Sequence, residues 1–384
     1  MKKIVFVMMF ICCFNFFSTN VFAKDVDLIP NATSGLLMEV DSGKILFQKD
    51  INKKVAIASM TKMVAQIIIL ENISSGKIKW DDVVTVSKNA ADMGGSQIYI
   101  AEGEKITVED LMKGISMASG NDATVAMAEY ISGTEEKFVN LMNKKVKELG
   151  LKNTYFKNCT GLDEDGHYSS AYDMAVIARE LIIKHSEIFK FSSIYEDYLR
   201  EDSDNKFWLV NTNKLVRFYD GADGLKTGHT DNAGYCLAAT AKRNGIRLLG
   251  IVLGESNATI RNNETMKLLD YGFQNLKINK LKRKGEVVKK IKLDKADKEI
   301  VNIVLKDDLS VVENIDDNKN YDYEIEVNDF KLPVVVNDVV GKIKVYYKNK
   351  VVKESDLTVN SNINSLSYLS LFKIELIDLF AGKF

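Results

Sequence analysis

The sequence has few of the residues on which metal sites and disulfide scaffolds depend. Its 384 residues include 4 cysteines and 3 histidines, and no spacing among them suits a structural zinc site. The formal net charge of −1 argues against a large nucleic-acid-binding surface. Hydrophobic residues make up 46% of the chain, which is enough to bury a sizeable core. We therefore expect a globular protein of two or slightly more domains whose chemistry uses hydroxyl, amine and carboxylate groups, with no metal, cofactor or nucleic acid.

The first 23 residues have the organisation of a secretory signal. Two lysines precede an apolar run, and small residues end the segment at Ala23. An uncleaved membrane anchor is the alternative, but the run is shorter than the ~20 residues that a spanning helix needs. Cleavage after Ala23 leaves only Cys159 and Cys236. A disulfide framework is therefore not expected, and both thiols are interpreted as unreactive core residues.

The spacing of apolar residues changes near residue 276. Before this point helical periods are mixed with strands, whereas beyond it the apolar residues alternate with a period of two. Three such alternating stretches are Ile300–Leu305, Tyr323–Val327 and Ile343–Tyr347. The pair Asn349-Lys350 follows the last of them and predicts a hairpin turn. We predict a mixed domain over residues 24–275 and a small all-β domain over residues 276–360.

Two further segments near the C-terminus raise the question of what they contact. Residues 277–298 contain ten Lys or Arg and three acids, which favours a solvated face, with anionic wall polymers or lipid head groups as the alternative. In residues 361–384, apolar residues recur at three- and four-residue steps, and charged residues interrupt them. This pattern favours an amphipathic helix in a membrane interface over a spanning helix. A helix docked on its own domain is the other possibility.

Three short motifs carry the chemistry, and none of them is specific by itself. Ser-x-x-Lys and Ser-x-Asn each occur four times, whereas Lys-Thr-Gly occurs once. The context selects Ser59-Met60-Thr61-Lys62, because a long apolar stretch follows and places Ser59 at a helix N-terminus with Lys62 one turn later. Ser119-Gly120-Asn121 lies in a break between apolar runs, and Lys226-Thr227-Gly228 closes a segment with a strand pattern.

These motifs, in this order, resemble the three signatures of penicillin-binding proteins and serine β-lactamases. Flanking stretches resemble the low-molecular-mass D-alanyl-D-alanine carboxypeptidases over about residues 28–275. They are Asp41-Ser42-Gly43, Gly94-Gly95-Ser96, residues 103–111, residues 118–123 and residues 166–175. The resemblance implies an α+β fold in which an antiparallel sheet packs with a helical cluster, as in DD-peptidases and β-lactamases. A C-terminal β-domain and a terminal amphipathic helix are also usual in that family.

Two positions depart from the family pattern. Ile57 stands where the family usually has proline two residues before the nucleophile, and Cys159 stands where it has proline in an Asn-Pro-x-Gly-Leu stretch. Both changes remove a backbone restraint rather than a reacting group. We expect them to affect the rigidity of the loops more than the chemistry.

Acyl transfer requires a nucleophile and a base. Ser59 is predicted to be the nucleophile, and Lys62 the general base if burial and neighbouring cations lower its pKa. Ser119 is predicted to relay the proton to the leaving amine, and Asn121 to hydrogen-bond the substrate amide. For Ser119 and Asn121 the motif alone is more typical of a turn.

The third motif is predicted to bind the substrate. Lys226 and Thr227 would receive a terminal carboxylate, and Gly228 would let the substrate strand lie close to the enzyme's edge strand. The backbone N–H groups of Ser59 and, by the family pattern, His229 would form the oxyanion hole. A Ser-His-Asp triad is not expected, since His167 is interpreted as structural and His185 as part of a helical surface.

The resemblance implies an exported serine D-alanyl-D-alanine carboxypeptidase at the outer face of the bacterial cytoplasmic membrane. Its expected role is to trim the terminal D-alanine from peptidoglycan stem pentapeptides, in wall maturation and control of cell shape, and β-lactams would acylate Ser59. One alternative is a serine β-lactamase, for which Asp163, Glu164 and Asp165 lack the Glu-x-x-Leu-Asn arrangement of class A enzymes. The other is a catalytically silent wall-binding protein.

Overall fold

The computed structural model describes residues 27–201, 204–293 and 296–367, and the single residues 372 and 380. The predicted signal at residues 1–23 lies outside the described residues, and so does most of the predicted amphipathic helix at 361–384. Within the described ranges, no helix has both the length and the apolar character that crossing a membrane requires.

The part of the chain before residue 276 combines strands with helices. Its strands are β1 Ser34–Glu39, β2 Ile45–Lys49, β3 Val83–Thr85, β4 Lys105–Thr107, β5 Glu196–Leu199, β6 Phe207–Val210, β7 Ala222–Thr230, β8 Gly234–Arg243 and β9 Ile246–Glu255. Its helices are α1 Lys62–Ser74, α2 Lys88–Ala91, α3 Val108–Lys113, α4 Asn121–Ser132, α5 Glu135–Glu148, α6 Ala171–Lys184, α7 Phe189–Ser192, α8 Leu215–Phe218 and α9 Ala258–Asn275. This mixture agrees with the predicted α+β class.

A five-stranded antiparallel sheet forms the centre of this part, in the spatial order β2, β1, β9, β8, β7. Both faces of the sheet are buried. On β9, Leu249 and Ile251 pack into the helical cluster on one side, while Leu248 and Val252 pack on the other side in the cluster that includes α9. This alternation follows from the two-residue period of a strand. In the order of the strands, β7 lies at one edge of the sheet.

Helix α1 is the buried centre of the helical cluster. Every residue from Lys62 to Leu70 is buried. A helix that is apolar around its whole circumference is stable only when other elements surround it. Its one buried cation, Lys62, is therefore fixed in the first turn by the packing of the rest of the helix.

The chain breaks between two helices at the second motif. A single π-helical turn, Gly114–Ala118, ends at Ser119, whose φ of 63° is left-handed, and α4 begins at Asn121. A left-handed residue costs about 1 to 3 kcal/mol when it is not glycine, and such strain concentrates at functional sites. The break therefore sets the direction of the Ser119 side chain.

Beyond α9 the described chain consists of strands. They are β10 Leu276–Lys282, β11 Val287–Lys292, β12 Ile300–Leu305, β13 Leu309–Asn314, β14 Asp322–Val327, β15 Gly341–Tyr347 and β16 Lys350–Val359. One antiparallel sheet has the order β11, β12, β16, β15, β14, and β10 pairs with β13. A separate hydrophobic cluster, including Ile303, Ile343 and Leu357, lies inside this part.

The predicted turn between the last two strands is displaced by one residue. Lys348 and Asn349 form the turn with φ values of 49° and 62°, and Lys350 already pairs with Tyr347. A two-residue hairpin turn of this type needs positive φ at both central residues. Asn349 therefore takes the second turn position rather than the first, and the prediction of Asn349-Lys350 was wrong.

Candidate active site

Ser59 lies in a 3-10 turn, Ala58–Thr61, that leads directly into α1. The preceding Ala58 has a φ of 48°, so the backbone is strained just before the serine. This turn packs against β7: a Cβ on Gly228 would lie 2.6 Å from the carbonyl oxygen of Ile57. The sequence suggested that Gly228 makes room for substrate, and the structure adds that the turn carrying Ser59 also requires glycine there.

Lys62 is completely buried and its amine has three short contacts. Nζ lies 2.9 Å from Ser59 Oγ, 2.6 Å from Asn121 Oδ1 and 2.7 Å from the carbonyl oxygen of Thr160. Burial lowers the pKa of Lys62 to about 7, against a smaller opposing effect of the nearby Cys159 and Asp122. A neutral amine can donate to Asn121 and Thr160 and still accept the Ser59 proton, which is the arrangement that a general base requires.

Hydrogen bonds to residues 94–98 hold the second motif in place. Asn121 Nδ2 donates to the carbonyl oxygen of Gly94 at 2.7 Å, and its backbone N–H donates to that of Ser96 at 2.7 Å. The buried Asp122 accepts from the backbone N–H of Ile98 at 3.0 Å. These bonds fix the amide of Asn121 with its oxygen toward Lys62.

Ser119 is buried and has an unused hydroxyl. Among the described residues, its Oγ has no hydrogen-bond partner. Buried polar atoms are almost always paired, so an unpaired hydroxyl beside Asn121 indicates a group that bonds a ligand or a water molecule.

The third motif lies within β7 rather than at its end. Lys226 is buried, and its Nζ donates to the carbonyl oxygen of Thr227 at 3.0 Å. Burial, with the positive charges of Lys62 and Arg261 nearby, holds the pKa of Lys226 well below its usual range. A carboxylate bound at this amine would raise the pKa again, because an opposite charge favours the protonated form.

Thr212 is a site residue that sequence reasoning missed. Thr227 Oγ1 donates to Thr212 Oγ1 at 2.8 Å, and the backbone N–H of Thr212 donates to the carbonyl oxygen of Met117 at 3.0 Å. Thr212 thus joins β7 to the π-helical turn before Ser119. It belongs to none of the three motifs and follows a short strand, so no pattern in the sequence marked it.

The loop in which Cys159 replaces the usual proline is held in place by hydrogen bonds. Asn158 Oδ1 accepts from the backbone N–H of Gly161 at 2.8 Å, and the backbone N–H of Cys159 donates to Glu135 Oε1 at 3.1 Å. Proline has no N–H and could not make the second bond. Gly161 has a φ of 87°, and a Cβ there would overlap the carbonyl group of Ala58. The expected loss of rigidity is therefore offset, and Thr160 is held against Lys62.

The histidines are placed in three different environments. His167 Nε2 lies 2.8 Å from Thr61 Oγ1, and burial lowers its pKa to about 4, so it is a neutral structural residue. His185 is buried at the end of α6, which contradicts its interpretation as part of a helical surface. It packs inside because α6 ends there against the helical cluster. The exposed side chain of His229 stacks on Tyr235, with 4.0 Å between ring centroids.

Both cysteines of the described chain are fully buried and free. Burial raises the pKa of the Cys159 thiol well above its usual range and that of Cys236 to about 11. Thiols that keep their proton are poor nucleophiles, in agreement with the prediction of unreactive core residues. Within the described ranges, no group of three His, Cys, Asp or Glu side chains lies close enough together to hold a metal ion.

Of the acidic residues considered for a β-lactamase, Asp163 and Glu164 bond to residues other than Ser59 and Lys62. Asp163 accepts from Thr230 Oγ1 at 2.8 Å, and Glu164 accepts from Asn158 Nδ2 at 3.1 Å. Both carboxylates are exposed and bonded elsewhere than to Ser59 or Lys62. Of the other Ser-x-x-Lys matches, Ser74 and Lys77 are exposed, while Ser203 and Ser370 are outside the described residues.

Family models match both parts of the chain. One, described as D-alanyl-D-alanine carboxypeptidase, covers residues 22–257, and another, described as penicillin-binding protein 5, C-terminal domain, covers residues 277–365. The chain belongs to the D-alanyl-D-alanine carboxypeptidase family. The family and the fold class predicted from the sequence are therefore confirmed, and so is the prediction of a carboxypeptidase.

Relatives of this carboxypeptidase match over most of its length. It is 44% identical to D-alanyl-D-alanine carboxypeptidase DacF of Bacillus subtilis, covering 93% of both chains. It is 34% identical to DacA of Escherichia coli, covering 87% of this chain and 84% of the relative. The crystal structure of penicillin binding protein 5 from Haemophilus influenzae matches with a TM-score of 0.67 and 32% identity, covering 87% of this chain and 98% of that one.

A solved structure that contains an antibiotic is also similar. Penicillin-binding protein D2 from Listeria monocytogenes in its ampicillin-bound form has a TM-score of 0.57 and 31% identity. The match covers 63% of this chain and 98% of that one. This carboxypeptidase thus belongs to a family with β-lactam-bound members.

Proposed function

We propose that Ser59 is the acyl-ester nucleophile of this carboxypeptidase and that Lys62 is its general base. The observation that carries the proposal is the 2.9 Å contact between Lys62 Nζ and Ser59 Oγ, made by an amine whose pKa burial lowers to about 7. Ser59 Oγ attacks the carbonyl carbon of the penultimate D-alanine, and its proton passes to Lys62. A C–O bond forms, and the carbonyl oxygen becomes an oxyanion.

The second step expels the terminal D-alanine. The C–N bond breaks, and the leaving nitrogen takes the proton from Lys62 through the hydroxyl of Ser119, which has no other partner in the described chain. Asn121 orients the substrate amide from its fixed position between Lys62 and the Gly94 carbonyl. Water then attacks the ester, gives a proton to Lys62 and releases the shortened peptide as Ser59 regains its proton.

Binding of the substrate is proposed to occur along the edge strand β7. Lys226 and Thr227 receive the terminal carboxylate, and Gly228 keeps the turn of Ser59 close to the strand. The backbone N–H groups of Ser59 and His229 donate to the oxyanion. The proposed substrate is the peptidoglycan stem pentapeptide, and β-lactams are proposed to form a slowly hydrolysed ester with Ser59.

Penicillin labelling followed by mass spectrometry of the mature protein tests this assignment. Ser59→Ala should lose both penicillin labelling and D-alanine release, by more than the ~10³-fold that one oxyanion donor contributes. Ser74→Ala is the matched control, since Ser74 belongs to an exposed Ser-x-x-Lys match and should label normally. Labelling that persists in Ser59→Ala would reject the assignment. Rapid turnover of penicillin with no D-alanine release would favour a β-lactamase instead.

We also propose that the protein is exported, with domains at residues 24–275 and 276–360, and that residues 361–384 bind the membrane surface. The chain remains paired with the β-domain up to Ser365, which pairs with Ala296, and Ile363 pairs with Val334. Next to it, Val335, Val336 and Val339 expose 42 to 47% of their surfaces, an apolar patch at the exit of the chain. Apolar residues beside such a segment fit an interface between protein and lipid.

Vesicle flotation of the full mature chain tests this placement. Leu376→Glu combined with Leu379→Glu should abolish binding to anionic vesicles, because it places charges on the predicted apolar face. Val287→Glu, a change at a half-exposed valine of β11, is the control and should bind normally. Equal flotation of all three proteins would reject the membrane proposal without affecting the catalytic one.

A further inference from the structure

Asp163 is attached to the last residue of strand β7. Its Oδ1 accepts from Thr230 Oγ1 at 2.8 Å, and Thr230 Oγ1 accepts from the backbone N–H of Ala233 at 3.1 Å. The second bond fixes the direction of the Thr230 hydroxyl, which therefore holds the carboxylate of Asp163 against the strand. Asp163 is exposed, and no lysine or arginine of the described chain forms an ion pair with it. A negative charge without a counter-charge thus has a fixed place at the end of β7.

The residue before Asp163 lies beside the second motif. Leu162 is an apolar side chain that exposes 38% of its surface. A Cβ on Gly95 would lie 3.8 Å from Leu162 Cδ2 and 2.7 Å from Asn121 Nδ2, so these two side chains flank the same glycine. The site therefore has an exposed apolar side chain next to Asn121 and a carboxylate one residue further along the loop.

The proposed position of the substrate gives the direction in which the stem peptide leaves the site. Lys226 and Thr227 are proposed to receive the terminal carboxylate, whereas the backbone N–H of His229 is proposed to donate to the oxyanion of the attacked carbonyl. The penultimate residue therefore lies further along β7 than the terminal residue. Extended residues advance about 3.3 Å each, so the third residue of the pentapeptide comes level with Thr230. Asp163 is the residue bonded to Thr230 at this position.

The third residue of a stem peptide is a diamino acid. Its side chain consists of methylene groups that end in an amine, which carries a positive charge near pH 7. Long cationic side chains place their methylene groups along apolar surface and their charged end in a polar environment. Leu162 and Asp163 offer these two surfaces in that order from the site outward. The carboxylates of Glu164, Asp165 and Asp231 are exposed nearby in sequence and add to a negative potential that favours a cation.

From this geometry we infer that Asp163 determines specificity for the third stem residue: its carboxylate binds the side-chain ammonium, and Leu162 packs on the methylene groups. The inference rests on the proposed function, since it assigns a further part of the same substrate. Asp163 contributes to the binding of substrate and not to the chemistry at Ser59. Where a cross-link acylates the side-chain amine, the positive charge is lost. The enzyme therefore favours stem peptides whose third residue has a free amine.

Steady-state kinetics with two substrates test this specificity. Nα-acetyl-L-lysyl-D-alanyl-D-alanine has a free side-chain amine, and the diacetyl form of the same peptide differs only in that amine. The wild type should have a kcat/KM about fivefold higher for the free amine, which is near the upper limit for an exposed ion pair. Asp163→Asn should reduce this ratio to about one by raising KM for the free amine, since the lost interaction contributes to binding alone.

The choice of variants separates charge from structure. Asp163→Asn keeps an oxygen that can accept from Thr230, so the loop should remain attached to β7. Asp165→Asn is the matched control, because it removes an exposed carboxylate from the same loop and should keep the fivefold ratio. An equal loss of preference in the two variants would assign the effect to the total charge of the loop and reject the role of Asp163.

Each remaining outcome decides a separate point. A wild-type ratio near one would reject the specificity, and so would a ratio that Asp163→Asn leaves unchanged. If Asp163→Asn lowers kcat/KM equally for both peptides, the residue acts on the shape of the site, and the specificity is again rejected. A wild-type protein that hydrolyses neither peptide would instead overturn the proposed function.

Reversal of the charge on the substrate provides a second measurement. A peptide with a succinylated side-chain amine ends in a carboxylate, so its wild-type kcat/KM should fall below that of the diacetyl peptide. Asp163→Asn should bring these two values closer together. High salt should reduce the wild-type preference for the free amine, because it screens exposed charges. A preference that neither salt nor charge reversal affects would reflect the size of the side chain and reject the ionic role of Asp163.

Discussion

Lysines in the candidate active site and lysines in the β-domain have opposite environments. Lys62 and Lys226 are 0% and 1% exposed, and within the described residues neither forms an ion pair. In the β-domain, Lys282, Lys319 and Lys344 each lie 2.5 or 2.6 Å from a carboxylate and remain partly exposed. Burial lowers the pKa of both Lys62 and Lys226, and nearby positive charges add to the effect at Lys226, whereas the hydrogen bond to Glu326 raises the pKa of Lys344. The two environments suit different uses of the same residue type, since Lys62 is proposed to act as a base whereas the lysines of the β-domain form ion pairs.

The comparison also bears on the basic segment at residues 277–298. Lys277, Lys284 and Lys292 lie 3.6, 3.9 and 2.9 Å from carboxylates of neighbouring strands and turns. The excess of positive charge that the sequence shows is therefore partly balanced by acids from elsewhere in the β-domain. This pairing favours the solvated face over a binding site for anionic polymers or lipid head groups.

Replacing Lys62 should have the largest effect of the changes compared below. Lys62→Met should slow acylation by penicillin by about 10³-fold, since removing a general base typically costs 10²- to 10⁴-fold. Lys282→Met, which removes an exposed paired lysine, should acylate at the wild-type rate. Stopped-flow measurement with a fluorescent penicillin gives both constants. Acylation of Lys62→Met within tenfold of the wild type would show that another group takes the serine proton.

The pH dependence should show the lowered pKa directly. Because the base is active only when it has lost its proton, the acylation rate constant should rise with pH and reach a plateau above about 7. Below that value it should fall about tenfold for each pH unit. A midpoint near the ordinary value of 10.5 would mean that Lys62 remains charged in the candidate active site at neutral pH.

Elements of the fold that depend on a local pattern could be predicted from the sequence. The long apolar stretch after Lys62 predicted a helix that starts at the first motif, and α1 begins at Lys62. Alternation of apolar residues located strands such as β12, whose predicted and observed bounds agree at Ile300–Leu305. These successes share one cause, since each depends on a local pattern with a fixed period.

Other features depended on contacts between distant parts of the chain. Thr212 joins the site through Thr227, 15 residues away, and no local pattern marks it. His185 is buried because α6 ends against the helical cluster, although its neighbours in sequence are polar. Cys159 compensates for a missing proline through Glu135, 24 residues away. Such partners are set by packing and not by sequence spacing.

Burial shifts the pKa of an acidic residue too, in the opposite direction from that of a lysine. Glu255 lies at the end of β9, and both of its carboxyl oxygens lack a partner among the described donors. Burial and the neighbouring Glu264 raise the pKa of Glu255 to about 8. The folded protein therefore holds a proton that the unfolded chain releases near pH 4.5, and stability falls as pH rises from about 5 to 8.

Glu255→Gln should remove this dependence. The difference in free energy of unfolding between wild type and variant should change by at most about 1.4 kcal/mol per pH unit across that window, in favour of the variant as pH rises. Urea unfolding at several pH values measures it. A difference that stays constant from pH 5 to 8 would show that Glu255 titrates at its ordinary value in the folded protein.

The exposed ion pairs of the β-domain should have the smallest effect. Lys344→Met removes the partner of Glu326, and we expect the thermal midpoint and penicillin acylation to remain unchanged within measurement error, at low and at high salt, because exposed pairs are screened by solvent. Ile343→Ala, one residue away on β15 and fully buried, is the matched contrast and should lower stability by about 2 to 5 kcal/mol. A fall of several degrees in Lys344→Met that disappears at high salt would show that the β-domain depends on its charges. The contrast between the two regions would then concern only the pKa of the amines and not their contribution to folding.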